Sequence, residues 1–161
     1  MGVRTLANNL DVTTDEAKEL MSQYKRSHPK MVDYCHKLMG QAEELNYCET
    51  ISGRRRPFEG KFTARSERVA VNTTIQGSAA DLVKAATVDL AGAIVDHFGS
   101  KKDKPRLIHH VHDELIYECP IDQVETFKQM MKKSMTSCSF VDKFNVKFVV
   151  KIRDEKSWDK L

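Results

Sequence analysis

Asp113 and Glu114 are adjacent carboxylates set between two β-rich runs, Leu107 to Val111 and Leu115 to Cys119. Two carboxylates held together at a hairpin tip repel one another unless a cation neutralises them. Mg²⁺ takes hard oxygen ligands, often with only one or two protein carboxylates and the rest from water or phosphate. The plain alternative is a solvated turn, since Asp is common at turns. A single hairpin cannot hold two metal ions, so a second acidic strand would have to come from elsewhere. Three histidines stand beside the pair. His110 and His112 would share a strand face with imidazoles suited to zinc, and His109 lies next to them. A closed zinc site needs further ligands, and no Cys or His sits nearby at ligand spacing. His112 reads better as a neutral donor beside the carboxylates.

Two further constellations could bind anions or bases. Gly53-Arg54-Arg55-Arg56-Pro57 follows a strand-like run and a Ser-Gly turn signal. It is either a solvated basic loop or a phosphate-capturing one, because a guanidinium pairs bidentately with phosphate oxygens. Arg65, Arg68, Asn72 and Gln76 are spaced three, four and four residues apart, which puts all four on one helical face. Arg, Asn and Gln are donors matched to the minor-groove acceptors that every base pair shares. An ordinary polar stripe is the competing reading.

The elements that must position these residues follow from pattern. Thr13-Thr14-Asp15-Glu16 is a capping box for a helix carrying Ala17, Leu20, Met21 and Tyr24. Pro29 opens a second helix with Val32, Cys35, Leu38, Met39, Ala42 and Leu45 on one stripe. So short a joint predicts a helical hairpin. Tyr47 to Ile51 reads as a strand. A long helix is expected from Thr63, weakened by Asn72-Thr73-Thr74 and kinked or broken near Gly77. Its inward face holds Leu82, Val83, Ala86, Leu90, Ala93, Ile94 and either His97 or Phe98. A hairpin follows with His112-Asp113-Glu114 at its tip, lacking the usual Gly or Asn. Ile121 to about Cys138 reads as an amphipathic helix, and the alternation of Phe144, Val146, Phe148, Val150 and Ile152 as a final strand. Strands and helices mix without βαβ order, so the fold class is α+β with an antiparallel sheet.

Composition bounds the rest. The 161 residues are 40% hydrophobic and 30% charged, which suits a folded domain with a real core. A net charge of +3 is too small to argue for nucleic acid by itself, although Lys101, Lys102 and Lys104 cluster. No apolar run approaches the roughly 20 residues a membrane span needs, and the N-terminus turns polar within a few residues, so neither a membrane partner nor a signal peptide is expected. Cys35, Cys48, Cys119 and Cys138 lack paired spacing and read as reduced thiols of an intracellular protein.

Taken in order, these segments resemble the family A DNA polymerases, the class of bacterial DNA polymerase I and the metazoan theta and nu enzymes. Asn46-Tyr47-Cys48-Glu49-Thr50 leading into Gly53-Arg54-Arg55-Arg56-Pro57 resembles the turn after the last fingers helix. Glu67-Arg68, Asn72 and Gln76-Gly77-Ser78-Ala79-Ala80-Asp81 resemble the long palm helix, and Val111-His112-Asp113-Glu114-Leu115 the third polymerase motif. Ser157-Trp158 resembles the usual C-terminal tryptophan. The triple arginine and the Gly-Ser-Ala-Ala-Asp form look more like the theta and nu branch, and the short loop from Gly99 to Pro105 leans towards nu or a diverged relative.

The resemblance implies a partial fingers piece in residues 1–46, a helical hairpin, and a partial palm in 47–161. It implies two-metal transfer of deoxynucleotides to a primer 3′ end, with Asp113 as metal ligand and Glu114 as supporting acid. Arg54 and His112 would lie near the primer terminus and incoming nucleotide, and Arg68, Asn72 and Gln76 along template and primer. The partners would be primer-template DNA, deoxynucleoside triphosphates, Mg²⁺ and the remainder of the polymerase chain upstream. The first motif, with the other metal-binding aspartate, the second motif and the thumb are not found here; Met1-Gly2 looks like the residues just after the second-motif helix. The chain alone is therefore expected not to polymerise DNA. DNA repair and the nucleus follow only from the theta and nu likeness. The competing classes are a non-catalytic DNA-binding remnant and a metal-dependent nuclease. A nuclease would need further acids, and Asp81, Asp89 and Asp96 read as caps or solvated positions.

Overall fold

The computed structural model describes residues 2–137 and 146–157. They fall into two compact units, Met1–Cys48 with Pro57–Val71, and Glu49–Arg56 with Asn72–Leu161. The fold is α+β, with helices dominating and, among the described residues, two antiparallel strand pairs.

The first unit begins with α1 (Val3–Leu10), which sequence pattern did not anticipate, and α2 (Thr14–Ser27). The capping box forms as read. The Glu16 amide donates to Thr13 Oγ1 at 3.2 Å, and the Thr13 amide donates to Glu16 Oε2 at 2.9 Å. The Thr13 amide, and then the Thr13 hydroxyl donating to the same oxygen at 2.8 Å, hold the Glu16 carboxyl below its ordinary value. α3 (Pro29–Leu45) starts at its proline. One residue, His28, joins α2 to α3. The contacts sit at the joint, where Tyr24 stacks on His28 at 4.5 Å and its hydroxyl reaches Met31 Sδ. α2 packs more extensively on α1. The core of this unit is Ala42, Cys48 and Ala70, covered by Phe58 and Phe62 packed edge-on. Much of the α2 and α3 apolar stripes stays exposed, including Leu20, Tyr24 and Leu45.

β1 (Tyr47–Glu49) pairs with β2 (Arg55–Pro57), so the basic segment read as a loop is largely a strand. Its turn closes through the Gly53 amide to the Thr50 carbonyl at 2.9 Å, with Gly53 at φ 84°. That left-handed conformation favours glycine.

α4 (Ala64–Phe98) is one uninterrupted 35-residue helix, so of the kink or break expected near Gly77 the break does not form. Gly77 serves close approach. A Cβ there would lie 2.8 Å from Thr50 Cγ2 and 3.3 Å from Arg54 Nη2. In the second unit Leu90, Ile94 and Phe98 of α4 meet Phe127 of α5 (Val124–Thr136), with Tyr117, Cys119, Met130 and Met131 around them. Phe98, not the exposed His97, points inward. Ala86 forms a second patch with Leu82, Met135 and Phe148. Burial pushes the Tyr117 hydroxyl up, and burial followed by the Asp122 charge does the same for the Cys119 thiol.

β3 (Arg106–Val111) and β4 (Glu114–Glu118) form the predicted hairpin, with an irregular register between Leu107 and His109. The final strand is not formed in its described part. Residues 146–157 carry no regular secondary structure, although Phe148, Val150 and Ile152 are more buried than Lys147, Val149 and Lys151. Alternation orders burial here, but no ladder partner exists among the described residues, and a strand needs one. Lys128 ties this segment to α5, reaching Asp154 Oδ1 at 2.5 Å and Glu125 Oε1 at 3.0 Å. Phe144, Cys138 and Trp158 lie outside the described residues.

Candidate nucleic-acid interface and carboxylate turn

The hairpin tip is a two-residue connection, His112-Asp113, between paired Val111 and Glu114. Tight connections of this kind need positive φ, normally from glycine or asparagine. Here His112 supplies it at φ 53°. A ring nitrogen of His110, Nε2, lies 2.7 Å from the His112 carbonyl oxygen and bonds to it across the bend. Asp113 and Glu114 are both exposed. Neither makes a side-chain hydrogen bond or ion pair among the described residues. No group of three or more His, Cys, Asp or Glu side chains stands in metal-holding geometry among those residues.

The donors foreseen on α4 are where helical spacing put them. Arg65 and Arg68 in the first unit are exposed, as are Asn72 and Gln76 in the second. None of the four is engaged by a hydrogen bond or ion pair among the described residues, and α4 is helical through all four positions. The buried side of the same stretch carries Ala70.

The arginine run is more engaged than expected. Arg55 Nε reaches Glu49 Oε2 at 2.9 Å, and Arg56 Nη1 donates to Thr73 Oγ1 at 3.2 Å. Arg54 Nε and Nη2 donate to Asp81 Oδ1 at 3.1 and 2.9 Å, and Nη2 also to the Gly77 carbonyl at 3.3 Å. Ser52 Oγ donates to the other oxygen, Asp81 Oδ2, at 2.6 Å. Nearby, the Ile51 amide donates to Ser78 Oγ at 2.9 Å. Burial alone would raise the Asp81 carboxyl. Hydrogen bonds from Ser52, Thr50 and Arg54, with the Arg54 charge, outweigh it and hold the group below its ordinary 3.8.

Arg54 is thus bonded to Asp81 and Gly77, and one correction follows. Asp81, read as a cap or a solvated position, is a buried ion-pair partner. The signal was available: Asp is a poor helix-interior residue, and Gly77-Ser78-Ala79-Ala80 ahead of it clears space for another segment. The Lys101, Lys102 and Lys104 cluster is not a purely basic surface. It borders an open cleft of about 760 Å³ that Glu118 and Asp122 also line, and Lys104 Nζ is bonded to the Gly99 carbonyl.

The family model described as DNA polymerase family A matches residues 1–160. DNA polymerase theta of Drosophila melanogaster is 33% identical over 98% of this chain, which spans 8% of that relative. DNA polymerase I of Borreliella burgdorferi is 33% identical over 97%, and the chain spans 17% of it. The chain thus covers a small part of the curated relatives it matches. The POL domain of Pol1 from M. smegmatis, in complex with DNA primer-template and dNTP, superposes with a TM-score of 0.73 at 31% identity. That match covers 84% of this chain and 24% of the other. Identity to the Drosophila theta enzyme and to the Borreliella enzyme is equal at 33%, so it favours neither branch. The chain belongs to the family A DNA polymerases.

Proposed function

We propose that this chain is the part of a DNA-directed DNA polymerase that carries the Asp113 half of a two-Mg²⁺ site and the donors that hold primer-template DNA. The observation that carries the reading is the tip of the β3–β4 hairpin, two exposed and unengaged carboxylates beside a left-handed His112, in a chain of this family. The donor set fits Mg²⁺ in part. Carboxylate oxygens are the hard ligands it prefers, yet one turn supplies only a portion of two coordination spheres. Bound Mg²⁺ would neutralise charge on the transferring phosphoryl group and orient it for in-line displacement. Asp113 holds its carboxylate outward for that ion, and Glu114 supports it from the first position of β4. Arg68, Asn72 and Gln76 hold template and primer through acceptors common to all base pairs, so binding is independent of sequence.

The second aspartate and the triphosphate grip come from polypeptide upstream of this segment, and the 161 residues alone do not polymerise. Primer extension tests this with the purified chain and with a polypeptide carrying the family's upstream segment ahead of it. Mg²⁺-dependent incorporation should occur only in the second and be abolished there by Asp113→Ala. Incorporation by the chain alone, lost in Asp113→Ala, would overturn the division of the site. A role in DNA repair within the nucleus is the setting that the theta and nu resemblance favours. Localisation of a tagged full-length protein tests it, and exclusion from the nucleus would refute it.

A further inference from the structure

Asp81 and Thr50 are the buried polar side chains among the described residues, and both surround Arg54. A guanidinium has five N–H donors in a rigid plane. Arg54 commits three of them internally, one on Nε and two on Nη2, to Asp81 Oδ1 and the Gly77 carbonyl. The two on Nη1 have no partner among the described residues, and the side chain remains 51% exposed. Asp81 is fixed in turn, because Ser52 holds its second oxygen and the absence of a side chain at Gly77 lets Arg54 reach the helix. The fork is thus clamped on one edge and open on the other. That is the form in which a guanidinium meets a phosphate with little rotamer freedom left to lose.

We propose that Asp81 is a positioning residue, holding Arg54 so that its Nη1 edge faces outward as a preset ligand for a DNA backbone phosphate. This rests on the reading that the chain holds primer-template DNA. It assigns the triple-arginine segment a division of labour: Arg55 and Arg56 bond within the fold, and Arg54 bonds both inward and outward.

The proposal makes a prediction opposite in sign to charge alone. Removing a carboxylate near a DNA-binding surface should tighten binding by electrostatics. If Asp81 positions Arg54, Asp81→Asn loosens it instead. Fluorescence anisotropy of a labelled primer-template duplex, titrated with the unmodified chain and its variants, reads the difference. Arg54→Ala and Asp81→Asn should each weaken binding about ten- to a hundredfold, as expected for a hydrogen bond to a charged group. The double variant should be no weaker than Arg54→Ala. Arg54→Lys guards against misfolding of Asp81→Asn. Its single ammonium can satisfy Asp81 but has no second nitrogen for a phosphate, so it should melt near the unmodified chain yet bind as weakly as Arg54→Ala. Asp81→Asn binding as tightly as the unmodified chain or tighter would overturn the proposal. So would full affinity in Arg54→Lys. If Arg68→Ala weakens binding while Arg54→Lys and folded Asp81→Asn do not, positioning fails and the DNA reading stands. If the unmodified chain binds no duplex, both fail.

Discussion

Asp81 on α4 and Asp113 at the hairpin tip are the same side chain in opposite circumstances. Asp81 is 9% exposed and receives donors on both oxygens, from Arg54 on one and Ser52 on the other. Asp113 is exposed and accepts nothing among the described residues. A carboxylate whose lone pairs are filled by the fold belongs to the architecture, because breaking that set leaves uncompensated buried charge. One left open on a left-handed turn has its lone pairs available to a cation. The contrast teaches that an acid's role is read from what satisfies it, not from its neighbours in sequence.

The largest expected break in that comparison is in stability. Asp81→Asn should cost about 2 kcal/mol in urea unfolding, because Arg54 and Ser52 lose an ionised acceptor. Asp113→Asn should stay within about 0.5 kcal/mol, as for an exposed site. Equal effects at the two positions would erase the distinction.

The two glycines of α4 sharpen it next. Gly77 is crowded by Thr50 and Arg54, whereas nothing lies within 4 Å of a Cβ at Gly92. Gly92→Ala should stabilise by about 0.5–1 kcal/mol through helix propensity. Gly77→Ala should destabilise by about 1 kcal/mol, because Thr50 is buried and must shift. Thermal melts of the two variants should therefore move in opposite directions.

The pH dependence follows from the direction of the Asp81 shift. The folded carboxyl ionises more readily than the unfolded one, so the unfolded chain binds more protons in acid. The pair's stabilisation is present above pH 3.8 and is lost as pH falls through the lower folded value. Melting temperature should thus fall less steeply with acidification in Asp81→Asn than in the unmodified chain. Parallel curves below pH 5 would contradict the assignment.

The effect at His112 is of the same size as at the glycines. A β-branched residue resists positive φ, so His112→Val should cost about 1 kcal/mol, while His112→Asn should be near neutral. Equal costs would remove the turn's backbone strain from the account.

How much of this was legible in the sequence depends on the range of the cause. Local causes were readable: the capping box at Thr13, the proline start of α3, the helical spacing of Arg68, Asn72 and Gln76, and the hairpin around Asp113. Causes that join distant segments were not. Gly77 read as a breaker because its conformational freedom is visible in sequence, and the Thr50–Arg54 turn that needs its missing side chain is not. Asp81 was set aside for the same reason, since its partner lies 27 residues away. The expected final strand had the right alternation in its described part but no partner to pair with, and a ladder cannot be inferred from one strand.

The comparison is tested most directly by where a divalent ion sits. Mn²⁺, a paramagnetic ion that takes the same oxygen ligands as Mg²⁺, can be titrated into the isotopically labelled chain and followed by amide line broadening. Broadening should centre on His112, Asp113 and Glu114, disappear in Asp113→Asn and persist in Asp81→Asn. Broadening centred on Asp81, or unchanged by Asp113→Asn, would contradict the account.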